Sequence, residues 1–165
     1  MAVRRWVLDH LLTRQVARVI YGAIIGMALI VVLEDHPPPA GQVAAELAVT
    51  AIAVSLAELY SEVVAAEAHA RRRLTRAELV DIAEIALGVA FGIVFPAIFF
   101  VLAAAGAMQV DTAFTIAKWS GVGLIAFYGF SAARLVGVGV AGALLQAFAV
   151  GAIGVVLIAF KALVH

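Results

Sequence analysis

VAAELAVTAIAVSLAELYSEVVAAEA, residues 43–68, decides the fold. It is longer than the roughly 20 mostly apolar residues that cross a bilayer as a helix. Glu58 and Glu62 lie deep within it, four residues apart. A charge near the centre of a spanning helix costs about 2.5–3.5 kcal/mol on insertion scales. Two carboxyls on one turn therefore require a buried partner, a water-filled cavity or a cation.

The rest of the chain has the same character. Of its 165 residues 65% are hydrophobic, and the mean hydropathy is +1.12. Soluble domains run at about 45–50% apolar, so a water-soluble globule is excluded. The length suits one compact membrane domain with the lipid bilayer as its solvent. A formal net charge of zero gives no sign of nucleic acid. There is no cysteine, so a metal site here would use oxygen and imidazole ligands.

Five spans are expected, making the fold class all-α, an integral membrane bundle of five transmembrane helices. The first runs from about Val16 to Leu33 and stops at Glu34, Asp35, His36 and three prolines, which cannot continue a helix. The second is the stretch above, ending near His69. A basic turn holding Arg71, Arg72, Arg73 and Arg76 leads to the third, from near Leu79 to Met108. The fourth and fifth share the residues from Ala113 to Leu163. Arg134, Gly137, Gly139 and Gly142 mark the break between them. Residues 2–15 read as a short interfacial segment with Trp6 against lipid, or as a plain extension. Asp9, His10 and Arg14 interrupt them, so they are not expected to be a secretory signal. Residues 16–165 form the bundle.

Basic residues set the orientation. Nine arginines, at 4, 5, 14, 18, 71, 72, 73, 76 and 134, fall on one side of the five-span scheme; the two lysines, 118 and 161, fall on the other. The arginine side is cytoplasmic, which places the N-terminus inside and His165 outside a multi-pass cell-membrane protein. Gly22 with Gly26, Gly88 with Gly92 and Gly151 with Gly154 give close-packing notches. They serve packing inside the bundle, or a homodimer built around span one.

A polar stripe is the candidate site. At 100° per residue, Ser55, Glu58, Glu62 and His69 share one face of span two. Asp81 and Glu84 enter span three from the same basic turn. Glu62 and Glu84 are expected at similar depth, with Glu58 one turn deeper. The candidate metal ligands are thus Glu58, Glu62, Glu84, Asp81 and His69. Hard divalent cations favour the carboxylates, and imidazole also suits iron or manganese. Clustered carboxyls would also suit proton exchange. A purely structural reading stands beside this one. Glu67, Glu78 and Asp81 neutralise the arginines, while Glu58 and Glu62 are protonated or bonded to Tyr60, Ser61 or backbone.

Other polar groups carry weaker signals. Lys118 and Glu46, near the outer ends of spans four and two, suggest an ion pair or snorkelling. Trp119 suits an interfacial belt, Pro96 kinks span three, and Gln146 is expected to make one interhelical hydrogen bond. Glu34, Asp35 and His36 form an outer cluster. No phosphate loop, nucleophile elbow or HExxH is present, so no enzyme is expected.

Several stretches resemble the vacuolar iron transporter family. Gly22-Ala23-Ile24-Ile25-Gly26 is similar to the family's Gly-Ala-Asn-Asp-Gly. Ser55-Leu56-Ala57-Glu58-Leu59-Tyr60-Ser61-Glu62 is similar to its acidic second span, and Gly88 to Phe99 with Pro96 to its third. Gly129 to Gly137 resembles its Gly-x-x-x-x-Arg-Leu-x-Gly. The resemblance implies a five-span homodimer that carries Fe2+ or Mn2+ out of the cytoplasm, coupled to protons, with the ion as cargo and no resident cofactor. Two departures set a second reading beside it. Ile25 stands where the family has an aspartate, and the family's cytoplasmic metal-binding helices are missing. The second reading is a non-transporting membrane scaffold or complex subunit.

Overall fold

The computed structural model describes residues 2–164, with side chains described for residues 15–156, 158 and 159. Six helices account for the described chain. They are α1 (Ala2–Leu33), α2 (Ala40–Ala70), α3 (Arg76–Val94), α4 (Ala97–Ala104), α5 (Val110–Leu135) and α6 (Val140–Val164). Among the described residues there is no strand.

Local chemistry ends the helices from α1 to α5. Pro37, Pro38 and Pro39 follow α1, and Pro39 stands as the N-cap of α2. Gly106 and Gly137, at φ +79° and +85°, end α4 and α5. At each glycine two backbone bonds close the last turn. Ala107 donates to the Leu102 carbonyl at 2.9 Å and Gly106 to Ala103 at 3.0 Å; Val138 donates to Ala133 at 3.0 Å and Gly137 to Arg134 at 3.1 Å. Both are Schellman motifs, which need a left-handed residue at this position. At the end of α2 that place is taken by Arg71, at φ +52°. Pro96 has no N–H to offer the preceding turn, and α3 and α4 meet there at a 47° bend.

Helix α1 is the centre of the bundle. It packs on α3, α5 and α6 and touches α2, while α2 lies on α3 and α4. Gly22 and Gly26 face α3. A Cβ on Gly22 would collide with the Val89 carbonyl, and one on Gly26 would lie 3.0 Å from the Ile93 carbonyl. Gly92 answers from the other side, against the Val19 carbonyl and the Ala23 nitrogen. The opposite flank of α1 carries Met27, fully buried, whose thioether fills the notches left by Gly121 and Gly154. Toward the far end Ile30, Val43, Leu47, Ile93, Phe100 and Phe114 form the core. The Phe100 and Phe114 rings meet edge-on at 4.8 Å.

The bundle is that of a multi-pass membrane protein. Three segments, Gln15–Leu33, Ala40–Ala70 and Val110–Leu135, are long and apolar enough to cross a bilayer, and the bent pair α3–α4 makes a fourth if counted as one span. The fifth expected span falls short by this measure, because the apolar segment of α6 among the described residues is the shorter Val140–Val156. Helix α1 continues without a break through residues 2–15. One further expectation is corrected. The Gly22–Gly26 face is spent inside the bundle and is not presented to a second copy.

Candidate polar site

Glu58 and Glu62 face α1, where Arg18 receives both. The Arg18 guanidinium is ion-paired to Glu58 through one nitrogen and to Glu62 through the other. The Glu58 side chain is 14% exposed, and those of Glu62 and Arg18 are 30% exposed, so the trio is largely withdrawn from its surroundings. Its geometry follows from the helices. Residues four apart lie one above the other on a helix, and the planar guanidinium fork can serve two carboxylates at once. An antiparallel α2 brings its second half to the start of the α1 span. Arg18, Glu62, Ala17 and Tyr21 line a cavity of about 430 Å3 beside the trio. Ser61 does not serve the carboxylates; its hydroxyl donates to the Glu58 backbone carbonyl at 2.9 Å.

The other candidate ligands lie elsewhere. His69 is exposed near the end of α2, and Asp81 is exposed in the second turn of α3. Glu84 lines a different cavity, with Gln15 and Val16 of α1 and Tyr128 of α5. Among the described residues no group of three or more His, Asp or Glu side chains could hold a metal ion. The expected convergence of four carboxylates is therefore not formed, and the rotation of α3 is the reason. On that helix Ala83, Ala86 and Ala90 line the groove toward α2, while Glu84 lines the cavity on the α1–α5 side, away from Glu58. Ser55 remains on the α2–α3 side, with its hydroxyl oxygen buried and without a hydrogen-bond partner.

The basic turn is an ion-pair network. Arg72 bonds Glu78 at 2.7 and 3.0 Å, and Arg73 bonds Glu67 at 3.0 Å. Thr75 caps α3 in a capping box with Glu78, which satisfies two backbone donors reciprocally. The apolar run starts at Leu79, so Glu78 stands on the aqueous side. The Arg72 guanidinium, followed by the Thr75 backbone and hydroxyl, holds its carboxyl down at about 2. Asp81, expected to share in this neutralisation, takes no part in these bonds.

At the opposite end Lys118 of α5 pairs with Glu34, at 2.6 and 2.8 Å. The expected partner, Glu46, instead accepts from Gln42 at 2.9 Å, one turn away on α2. Trp119, beside Lys118, is exposed. Gln146 is exposed and makes no interhelical bond among the described residues. Arg18, which from sequence counts only toward the arginine bias, is the cation that pairs with both carboxylates. The signal was present: a cation between Val16 and Ile20, inside the apolar run, needs a buried anion.

Compared with known proteins, the chain matches no family model, no curated protein and no solved structure.

Proposed function

We propose that this is a five-crossing membrane protein with its N-terminus inside, acting as a non-transporting scaffold or complex subunit. One observation carries this reading: Arg18 occupies the place between Glu58 and Glu62 where a cation would bind. A divalent ion would have to displace a guanidinium that already meets both carboxylates. Ile25, half-buried against the core, offers no ligand of its own. For the crossings, the 25 residues of α6 reach about 37 Å at 1.5 Å per residue, enough for a hydrocarbon core of about 30 Å. The arginine bias then orients the bundle. A homodimer belongs on a face other than that of α1. We place it on α2, of whose spanning segment only 17% is buried.

A second reading, the proton-coupled Fe2+ or Mn2+ carrier, draws on the cavity beside Arg18 and Glu62. Were the guanidinium to swing into that space, two carboxylates would be left for an ion. Metal uptake decides between the two. Liposomes holding the pure protein are expected to take up Mn2+ and Fe2+ no faster than empty ones. Uptake that is lost in the Glu58→Gln, Glu62→Gln double variant would replace the scaffold with the carrier.

A further inference from the structure

The cavity on the other side of α3 has a chemistry of its own. It measures about 510 Å3 and is walled by α1, α3 and α5. Volumes of about 300–1,000 Å3 are typical of small-molecule sites. Glu84, Leu87, Gly88 and Phe91 line it from α3, at the spacing that puts them on one helical face. Glu84 lies eight residues into α3, about 12 Å from its start. Phe91 lies about 10 Å deeper. One end is therefore polar, with the Glu84 carboxylate and the Gln15 amide. The rest is apolar and aromatic, with Val19, Phe91 and Tyr128.

Glu84 makes no ion pair or hydrogen bond with another described residue. Arg18, whose Cβ lies against Gly88, sends its guanidinium to the α2 carboxylates. Glu84 is exposed, yet an anion at the edge of the hydrocarbon core with no cation beside it among the described residues is costly. Aromatic faces attract cations as well, and quaternary ammonium groups are recognised by such rings. We propose that this cavity binds a lipophilic organic cation, its charge at Glu84 and its apolar body against Phe91, Tyr128 and Val19. This is independent of the scaffold reading, because it uses neither Glu58 nor Glu62.

The probe is tetraphenylphosphonium, titrated by calorimetry against the full chain in neutral maltoside micelles, with empty micelles as blank. Saturable binding is expected. Glu84→Gln should weaken it about tenfold or more, the scale of one charged contact. Phe91→Leu should weaken it about threefold. Glu46→Gln, at the far end of the bundle, should leave it unchanged. The same cationic chemistry exists in aminolipid headgroups, so the titration is repeated in nanodiscs of phosphatidylglycerol with and without phosphatidylethanolamine. Equal binding in the two supports the free cation. No saturable binding, equal binding by Glu84→Gln, or loss of binding when phosphatidylethanolamine is added would overturn the assignment.

Discussion

The two sides of α3 are built on opposite principles. Toward α1 the helices touch backbone to backbone, with Gly22, Gly26 and Gly92 removing the side chains that would keep them apart. Toward α2 they leave an alanine-lined groove of about 550 Å3, and the Ser55 hydroxyl finds no partner there. Both contacts join apolar helices in lipid, where burial of apolar surface supplies little attraction and close packing must supply it instead. The α1–α3 seam has that packing. Along the groove α2 lacks it, and at its inner end the Arg18 trio ties it to α1. The seam is steric and the clasp is electrostatic, so the two should fail to different substitutions.

The largest effect is expected at the seam. Gly92→Leu drives a side chain into the Val19 carbonyl and the Ala23 nitrogen. These are backbone atoms of a helix that has α5 and α6 behind it, so they have nowhere to move. Overpacking costs about 1–3 kcal/mol even where side chains can adjust, and here loss of folded protein is expected. Ala83→Leu adds nearly as much volume, three carbons against four, on the groove side and should be tolerated. Denaturant titration in mixed micelles measures both. Equal damage from the two would erase the distinction between seam and groove.

The clasp comes next. Arg18→Ala leaves two carboxylates withdrawn from water with no cation. Breaking one partner out of a buried ion pair costs about 3–5 kcal/mol, and the partial exposure of this trio lowers that to roughly 2–3 kcal/mol. Arg18→Lys should restore part of the loss, because an ammonium keeps the charge without the two-pronged fork. Adding Glu58→Gln and Glu62→Gln to Arg18→Ala should recover stability, since the stranded charges are gone. If the triple variant is no better than Arg18→Ala alone, packing and not charge holds α2 in place.

The helices were legible because their signals are local. Three prolines after Leu33, Pro96, and glycines at 106 and 137 punctuate the chain wherever the helices end or bend. Arg71 is the exception, since no rule from sequence places an arginine in a left-handed cap. The site was half legible. The cost of embedding Glu58 and Glu62 required a partner, but the partner depends on how α1, α2 and α3 rotate about their axes. Those rotations follow small residues: Gly22 lies against Gly92 on one side, and Ala51 and Ala86 line the groove on the other. A helical face drawn for α2 alone cannot say which neighbour it meets. Depth alone therefore groups Glu84 with Glu58, although the two line different sides of α3. Depth likewise suggests Glu46 for Lys118, although α1 packs on α5 and the turn that follows α1 supplies Glu34.

The smallest effect sharpens the comparison at the one place where α2 and α3 are tied covalently, the basic turn. Glu78 holds that turn through Arg72 and through the capping box with Thr75. Its carboxyl is lowered from 4.5 to about 2, so the folded turn favours the ionised form. A depressed carboxylate contributes its stabilisation in full above the ordinary value and loses it as pH falls through the folded one. The first turn of α3 should therefore be protected from amide exchange above about pH 4.5 and should fray as pH falls toward 2, while the Gly22–Gly92 seam stays closed. Protection factors for Ala77 to Asp81, measured by hydrogen–deuterium exchange with the intrinsic rate divided out, follow this directly. Glu78→Gln should lower protection above about pH 4.5 and flatten its dependence, converging with the wild type as pH falls toward 2, since a neutral amide keeps part of the cap but not the Arg72 pair. Glu67→Gln, which removes the charge paired with Arg73 while keeping an acceptor for the Leu74 amide, should leave the slope in place. A wild-type first turn equally protected at pH 5 and pH 2.5 would mean that packing of α3 on α1 alone holds its start, and that the seam reaches farther toward the basic turn than the glycines do.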